Sequence, residues 1–148
     1  KINLRRIYWL IKKKNPLKKK VHFPLEDRIK LAKKATKNFS KIQVLYLDKI
    51  VKSSRSINLV NYLIKKKKFK DIYFIIGSDI LIEFHKWKSW KKLLKLTKLV
   101  VFSRRGYDKK SKKSIVVKFL KNNKITYIKN KPILISSSSI RNKLIKKF

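Results

Sequence analysis

Ile72-Tyr73-Phe74-Ile75-Ile76-Gly77-Ser78-Asp79 decides the fold of this 148-residue chain. Residues 72–76 carry no charge in a protein that holds 44 lysines and arginines, so they read as a strand buried on both faces and the most buried one of the chain. Gly77 ends it, and Asp79 stands at the start of a short helix.

Outward from this segment, apolar runs recur at 7–11, 42–47, 99–102 and 125–128, each of strand length. Between them lie helical patterns. Pro24 opens one, with Glu26 and Asp27 suited to the positive end of its dipole and Leu25, Ile29, Ala32, Ala35 and Phe39 along one face. Ser56 is placed to cap a second, whose inner face is Ile57, Val60, Leu63 and Ile64. A third carries Trp87, Trp90, Leu93 and Leu94, with Trp90 in the core. A fourth, near 111–121, packs Ile115, Val116, Phe119 and Leu120, and a last one bears Ile140, Leu144 and Ile145. Continuous apolar strands alternating with helices predict an α/β fold: a Rossmann-like parallel sheet with helices on both faces. No repeat or linker interrupts the pattern, so the expectation is one domain over residues 1–148. Ligands of such sheets bind at the carboxyl ends of the strands, where Gly77-Ser78-Asp79 and Ser103-Arg104 fall.

Composition narrows the chemistry. There is no cysteine, which excludes disulfides, thiol catalysis and Cys-ligated zinc; two histidines and seven carboxylates predict no dedicated protein metal site. No apolar run approaches membrane-spanning length and no cleavable leader is read at the amino end, so a cytoplasmic location without membrane contact is expected. The net charge of +37 is spread over every segment rather than gathered on one face. Ile, Asn, Phe, Tyr and Lys are plentiful, the residues of A/T-rich codons. Non-specific polyanion binding is expected from that surface, whereas a nucleic-acid function is not. Self-association into a homo-oligomer is compatible with the sequence.

Near the carboxyl end, Ile135-Ser136-Ser137-Ser138-Ser139-Ile140-Arg141 runs a hydroxyl cluster into an amphipathic helix. Unpaired N–H groups at a helix start, serine hydroxyls and an arginine fork together suit phosphate oxygens. Taken alone, the cluster is equally well a serine cap.

Seven landmarks in order give the chain its resemblance. They are Asn15-Pro16-Leu17-Lys18, the Arg28 helix, the Ser56 segment, Ile76-Gly77-Ser78-Asp79, Phe84-His85-Lys86-Trp87, the stretch 100–107 ending Ser103-Arg104-Arg105-Gly106-Tyr107, and the serine cluster with Arg141. In this order the chain resembles the bacterial nicotinate-nucleotide adenylyltransferases, from about residue 7 to residue 145. The resemblance implies transfer of the adenylyl group of ATP to nicotinate mononucleotide, giving deamido-NAD and pyrophosphate, with Mg2+ accompanying ATP. It implies that Gly77, Asp79, Arg104, Ser136, Ser137, Ser138 and Arg141 hold ATP. It further implies that Asn58, Trp87, Lys88 and Lys18 contact the mononucleotide, Trp87 by stacking on the pyridine ring and Lys88 through its backbone N–H. His85 is expected at the surface.

The family also begins with a strand, a Gly-rich turn containing Phe-Asp-Pro, and a His-x-Gly-His element. None of these occurs in the 148 residues, which contain no methionine either. The catalytic residues are therefore unassigned, and the expectation is an amino-terminally truncated domain lacking its central first strand, with two apolar strand edges, little activity and poor solubility. Two alternatives remain: a related nucleotidyltransferase using nicotinamide mononucleotide or a pantetheine phosphate, and a basic nucleic-acid-binding domain.

Overall fold

The computed structural model describes residues 2–14, 21–121 and 125–131. The phosphate-binding candidates Ser136, Ser137, Ser138 and Arg141, the mononucleotide candidate Lys18 and the last helix expected from the sequence lie outside the described residues. The chain divides into two compact units, Lys1–Lys70 and Asp71–Phe148.

In the first unit, β1 (Ile7–Ile11) leads into α1 (Leu25–Thr36) and then β2 (Ile42–Tyr46). The two strands pair in parallel, Ile7 opposite Ile42 through to Ile11 opposite Tyr46. Acids in the first turn of α1 and lysines in its last complement the helix dipole. The predicted inner face is only partly right: Ala32 is buried, but α1 stops at Thr36, and Phe39, beyond its end, stays 59% exposed. A four-residue helix α2 (Asp48–Val51) follows β2, then α3 (Ser56–Lys67). Ser56 is the first residue of α3 rather than its cap, which is Arg55. Ile57, Leu59, Val60 and Leu63 turn inward, and Leu59 and Leu63 meet Leu47 in the core of this unit.

The second unit is a parallel sheet in the order β3–β4–β5, made by Tyr73–Gly77, Lys98–Phe102 and Ile125–Ile128. The most buried strand is β4, not β3: Leu99, Val100 and Val101 are at most 2% exposed, whereas Ile75 is 40% exposed. Ile75 sits opposite Val100 on the same face, so the cover over that face ends at the margin of the sheet. Burying each β4 side chain contributes about 1.5–3 kcal/mol, which makes this strand the anchor of the unit.

After β3 come α4 (Ser78–Glu83), a single 3-10 turn (Phe84–Lys86) and α5 (Trp90–Leu96). Leu81, Phe84, Leu93 and Leu94 are buried. Trp90 is only half-buried, packing edge-on against Phe119 at 5.1 Å. The helix expected near 111–121 is two: α6 (Asp108–Lys112) and α7 (Ile115–Leu120). Ser114 separates them by accepting the Val117 N–H as the cap of α7. That break turns Val116 and Val117 inward and leaves Ile115 and Phe119 exposed.

Three helices end on a lysine in the left-handed region, Lys52, Lys68 and Lys121, at φ between 47° and 54°. This position favours glycine, of which the chain has two. Among the described residues, β1 and β3 each pair along one edge only, and no helix is long and apolar enough to cross a membrane.

Candidate active site

Parallel pairing sets Gly77 opposite Phe102, so the loops leaving β3 and β4 lie side by side at one rim of the sheet. There Arg104 Nη1 donates to Asp79 Oδ2 at 2.5 Å. Asp79 is the less exposed partner, its side chain 20% accessible against 47% for Arg104. The guanidinium also lies 5.9 Å from the centre of the Tyr107 ring. Gly77 has an ordinary extended backbone, and a Cβ there would stand 2.5 Å from Asp79 Oδ1. Its lack of a side chain makes room for the carboxylate.

The backbone of Arg104 is tied down twice. Its N–H donates to Ser78 Oγ at 3.0 Å and to Asp108 Oδ1 at 3.1 Å. Ser78 is wholly buried, and the Ser103 hydroxyl bonds the other oxygen of Asp108. The Ser103 hydroxyl first, then that of Ser78, hold the Asp108 carboxyl below its usual range, with smaller contributions from the Arg104 N–H and the charge of Lys112.

Trp87 follows the 3-10 turn outside any helix. Its indole is half-buried, stacked on Phe84 at 4.9 Å and 26°, and edge-on to Phe74 at 6.1 Å. Since Phe84 is fully buried, the core fixes the plane of the indole. Lys88 is exposed, and His85, expected at the surface, is part-buried.

In the first unit the exits of β1 and β2 are also adjacent. Asp48 is 7% exposed; it accepts the Lys13 N–H at 2.7 Å and the Ser54 hydroxyl. Arg28 donates to the carbonyls of Lys12 and Lys13, both at 2.8 Å, which fixes the strand exit from its other side. Lys12 Nζ donates to Ser56 Oγ at 2.7 Å. Burial pushes the Lys12 ammonium below its usual range, and the charge of Asp48 opposes this. Asn58, in the first turn of α3, donates to Ser53 Oγ at 2.9 Å.

Of the residues singled out in the sequence, the structure therefore brings together Gly77, Asp79 and Arg104. It places Trp87 and Lys88 further along the same unit and Asn58 in the first unit. Sequence reasoning placed Ser78 at a marked strand exit without giving it a role, and it missed Asp108, Asp48 and Lys12. Asp108 had a signal, since it lies within a few residues of a strand exit already marked as a site.

Polar and charged groups gathered at the carboxyl ends of a parallel α/β sheet agree with the class to which the chain is similar: residues 1–143 match the cytidylyltransferase-like family. A probable nicotinate-nucleotide adenylyltransferase of Pelagibacter ubique is 44% identical over 140 residues, covering 95% of this chain and 77% of that protein. A second, of Aquifex aeolicus, is 33% identical over 127 residues, covering 83% and 76%. Two solved structures share the fold, those of Plasmodium falciparum nicotinic acid mononucleotide adenylyltransferase complexed with APC and with NaAD. Their TM-scores are both 0.71 at 18% and 19% identity, over 94% and 97% of this chain and 68% and 75% of theirs. The chain belongs to the nicotinate-nucleotide adenylyltransferase family.

Proposed function

We propose that this chain serves the transfer of the adenylyl group of ATP to nicotinate mononucleotide in NAD biosynthesis. The observation that carries the reading is the Asp79–Arg104 pair at the exits of β3 and β4, in a chain of this family. In the reaction a phosphate oxygen of the mononucleotide attacks the α-phosphorus of ATP, and the bond to the β-phosphate breaks. Deamido-NAD forms and pyrophosphate leaves. No protein nucleophile is required, so the protein's work is positioning and charge stabilisation.

On this reading Asp79 accepts hydroxyl hydrogen bonds from the adenosine, and Arg104 meets the phosphates, as would Ser136, Ser137, Ser138 and Arg141. Trp87 offers a plane for the pyridine ring, backed by Phe84, while the Lys88 N–H, Asn58 and Lys18 are the further mononucleotide contacts. Mg2+ enters as the companion of ATP. Among the described residues no three His, Cys, Asp or Glu side chains could hold a metal ion, and Mg2+ characteristically binds through substrate phosphates and waters. Both compact units belong to one nucleotidyltransferase-like domain over residues 1–148, acting in the cytoplasm, with its basic surface free to attract polyanions.

The test is formation of deamido-NAD from ATP and nicotinate mononucleotide by the natural full-length protein, with nicotinamide mononucleotide and a pantetheine phosphate in parallel. Turnover of the nicotinate form above the others is expected. Turnover of none, or preference for a pantetheine phosphate, rejects the reading.

A further inference from the structure

Resting on the adenylyltransferase reading above, we propose that Asp108 is a positioning residue that aims Arg104 at the incoming triphosphate of ATP. Asp108 opens α6, and its carboxylate gathers the Ser103 hydroxyl and the Arg104 N–H. Ser78, buried at the start of α4, takes the same N–H from the other side. The root of Arg104 is thus fixed from two elements, while its side chain stays 47% accessible. Its guanidinium rests between Asp79 and the ring of Tyr107. A fixed root with an accessible tip suits an arm that must reach an anion at one defined place.

Asp108 is unsuited to touching the nucleotide itself, because carboxylate and phosphate repel. Each of its oxygens already accepts from a group of this chain, and the lowered carboxyl pKa follows from such bonds. Its influence on ATP therefore passes through Arg104. Replacement by Ala removes both acceptor oxygens, so the bonds to the Ser103 hydroxyl and the Arg104 N–H are lost together, whereas Asn could keep both because the hydroxyl of Ser103 can turn to accept from its amide.

The test is binding of Mg-ATP and, separately, of nicotinate mononucleotide to the natural full-length protein by calorimetry, for Asp108→Ala, Arg104→Ala and the double variant. Asp108→Ala is expected to weaken ATP about tenfold, leave mononucleotide affinity unchanged, and add nothing to Arg104→Ala. Independent losses in the double variant, unchanged ATP affinity, or an equal loss of both ligands with a lowered melting temperature would each overturn the proposal. If Asp108→Ala does not fold, Ser103→Ala replaces it; a roughly threefold loss of ATP affinity that vanishes in the Arg104→Ala background is expected, and no loss overturns the proposal. A wild-type protein that binds neither ligand rejects the adenylyltransferase reading itself. One that binds both, with Arg104→Ala without effect, rejects only the role of Arg104 and with it that of Asp108.

Discussion

At the scale of single residues, Gly77 shows how much a missing atom can do. A Cβ there would overlap Asp79 Oδ1, so Gly77→Ala must swing the carboxylate away from Arg104. The exposed ion pair itself contributes about 0–1 kcal/mol, and the overlap costs about 1–3 kcal/mol before relaxation. The expected result is a small fall in melting temperature with at least a tenfold loss of ATP affinity, measured by calorimetry. Lys12 makes a second prediction, through pH. Its folded pKa lies below the ordinary 10.5, so between those values the unfolded chain holds a proton that the folded chain has shed. Stability from this group accordingly rises with pH across that window, and at neutral pH the penalty of burying the ammonium is fully present. Thermal melts from pH 8 to 11 should show that alkaline rise diminished in Lys12→Met. The Asp79 and Arg104 positions were legible in the sequence because strand exits are where such sheets bind ligands. Asp48 was not, since a four-residue helix leaves no periodic trace.

At the scale of elements, the five strands among the described residues were legible to within a residue or two, because uncharged runs stand out in so basic a chain. Helix boundaries were harder. A single capping hydrogen bond at Ser114 splits the helix expected near 111–121, and no hydrophobic period reports such a bond. Helix ends also carry strain that composition alone hints at. Lys68 closes α3 at φ 54°, where a side chain costs about 1–2 kcal/mol relative to an unstrained residue. Lys68→Gly should therefore raise stability by roughly 1 kcal/mol, read as a higher denaturation midpoint with unchanged slope. A lower midpoint would mean that the lysine side chain contributes more than its backbone conformation costs.

At the scale of the whole molecule, the two sheets determine behaviour in solution. Each ends on two strands with a single strand partner among the described residues, and two of these, β1 and β3, present Trp9 at 46% and Ile75 at 40% exposure. Unpaired backbone beside exposed apolar side chains invites pairing with other chains. The 148-residue chain should scatter light progressively at micromolar concentration, and the double variant Trp9→Lys with Ile75→Lys should scatter less at equal ionic strength. Equal scattering would place the cause elsewhere, in the exposed Phe23 and Phe39 for example. The same two sheets share a construction at their rims. Asp48 takes the Lys13 N–H and a serine hydroxyl, as Asp108 takes the Arg104 N–H and a serine hydroxyl. Both amides lie outside the strand ladders, and each is shielded by its own carboxylate. Their exchange with deuterium would thus give one clock for each half of the chain, able to time the loosening of either rim without a label or a substitution.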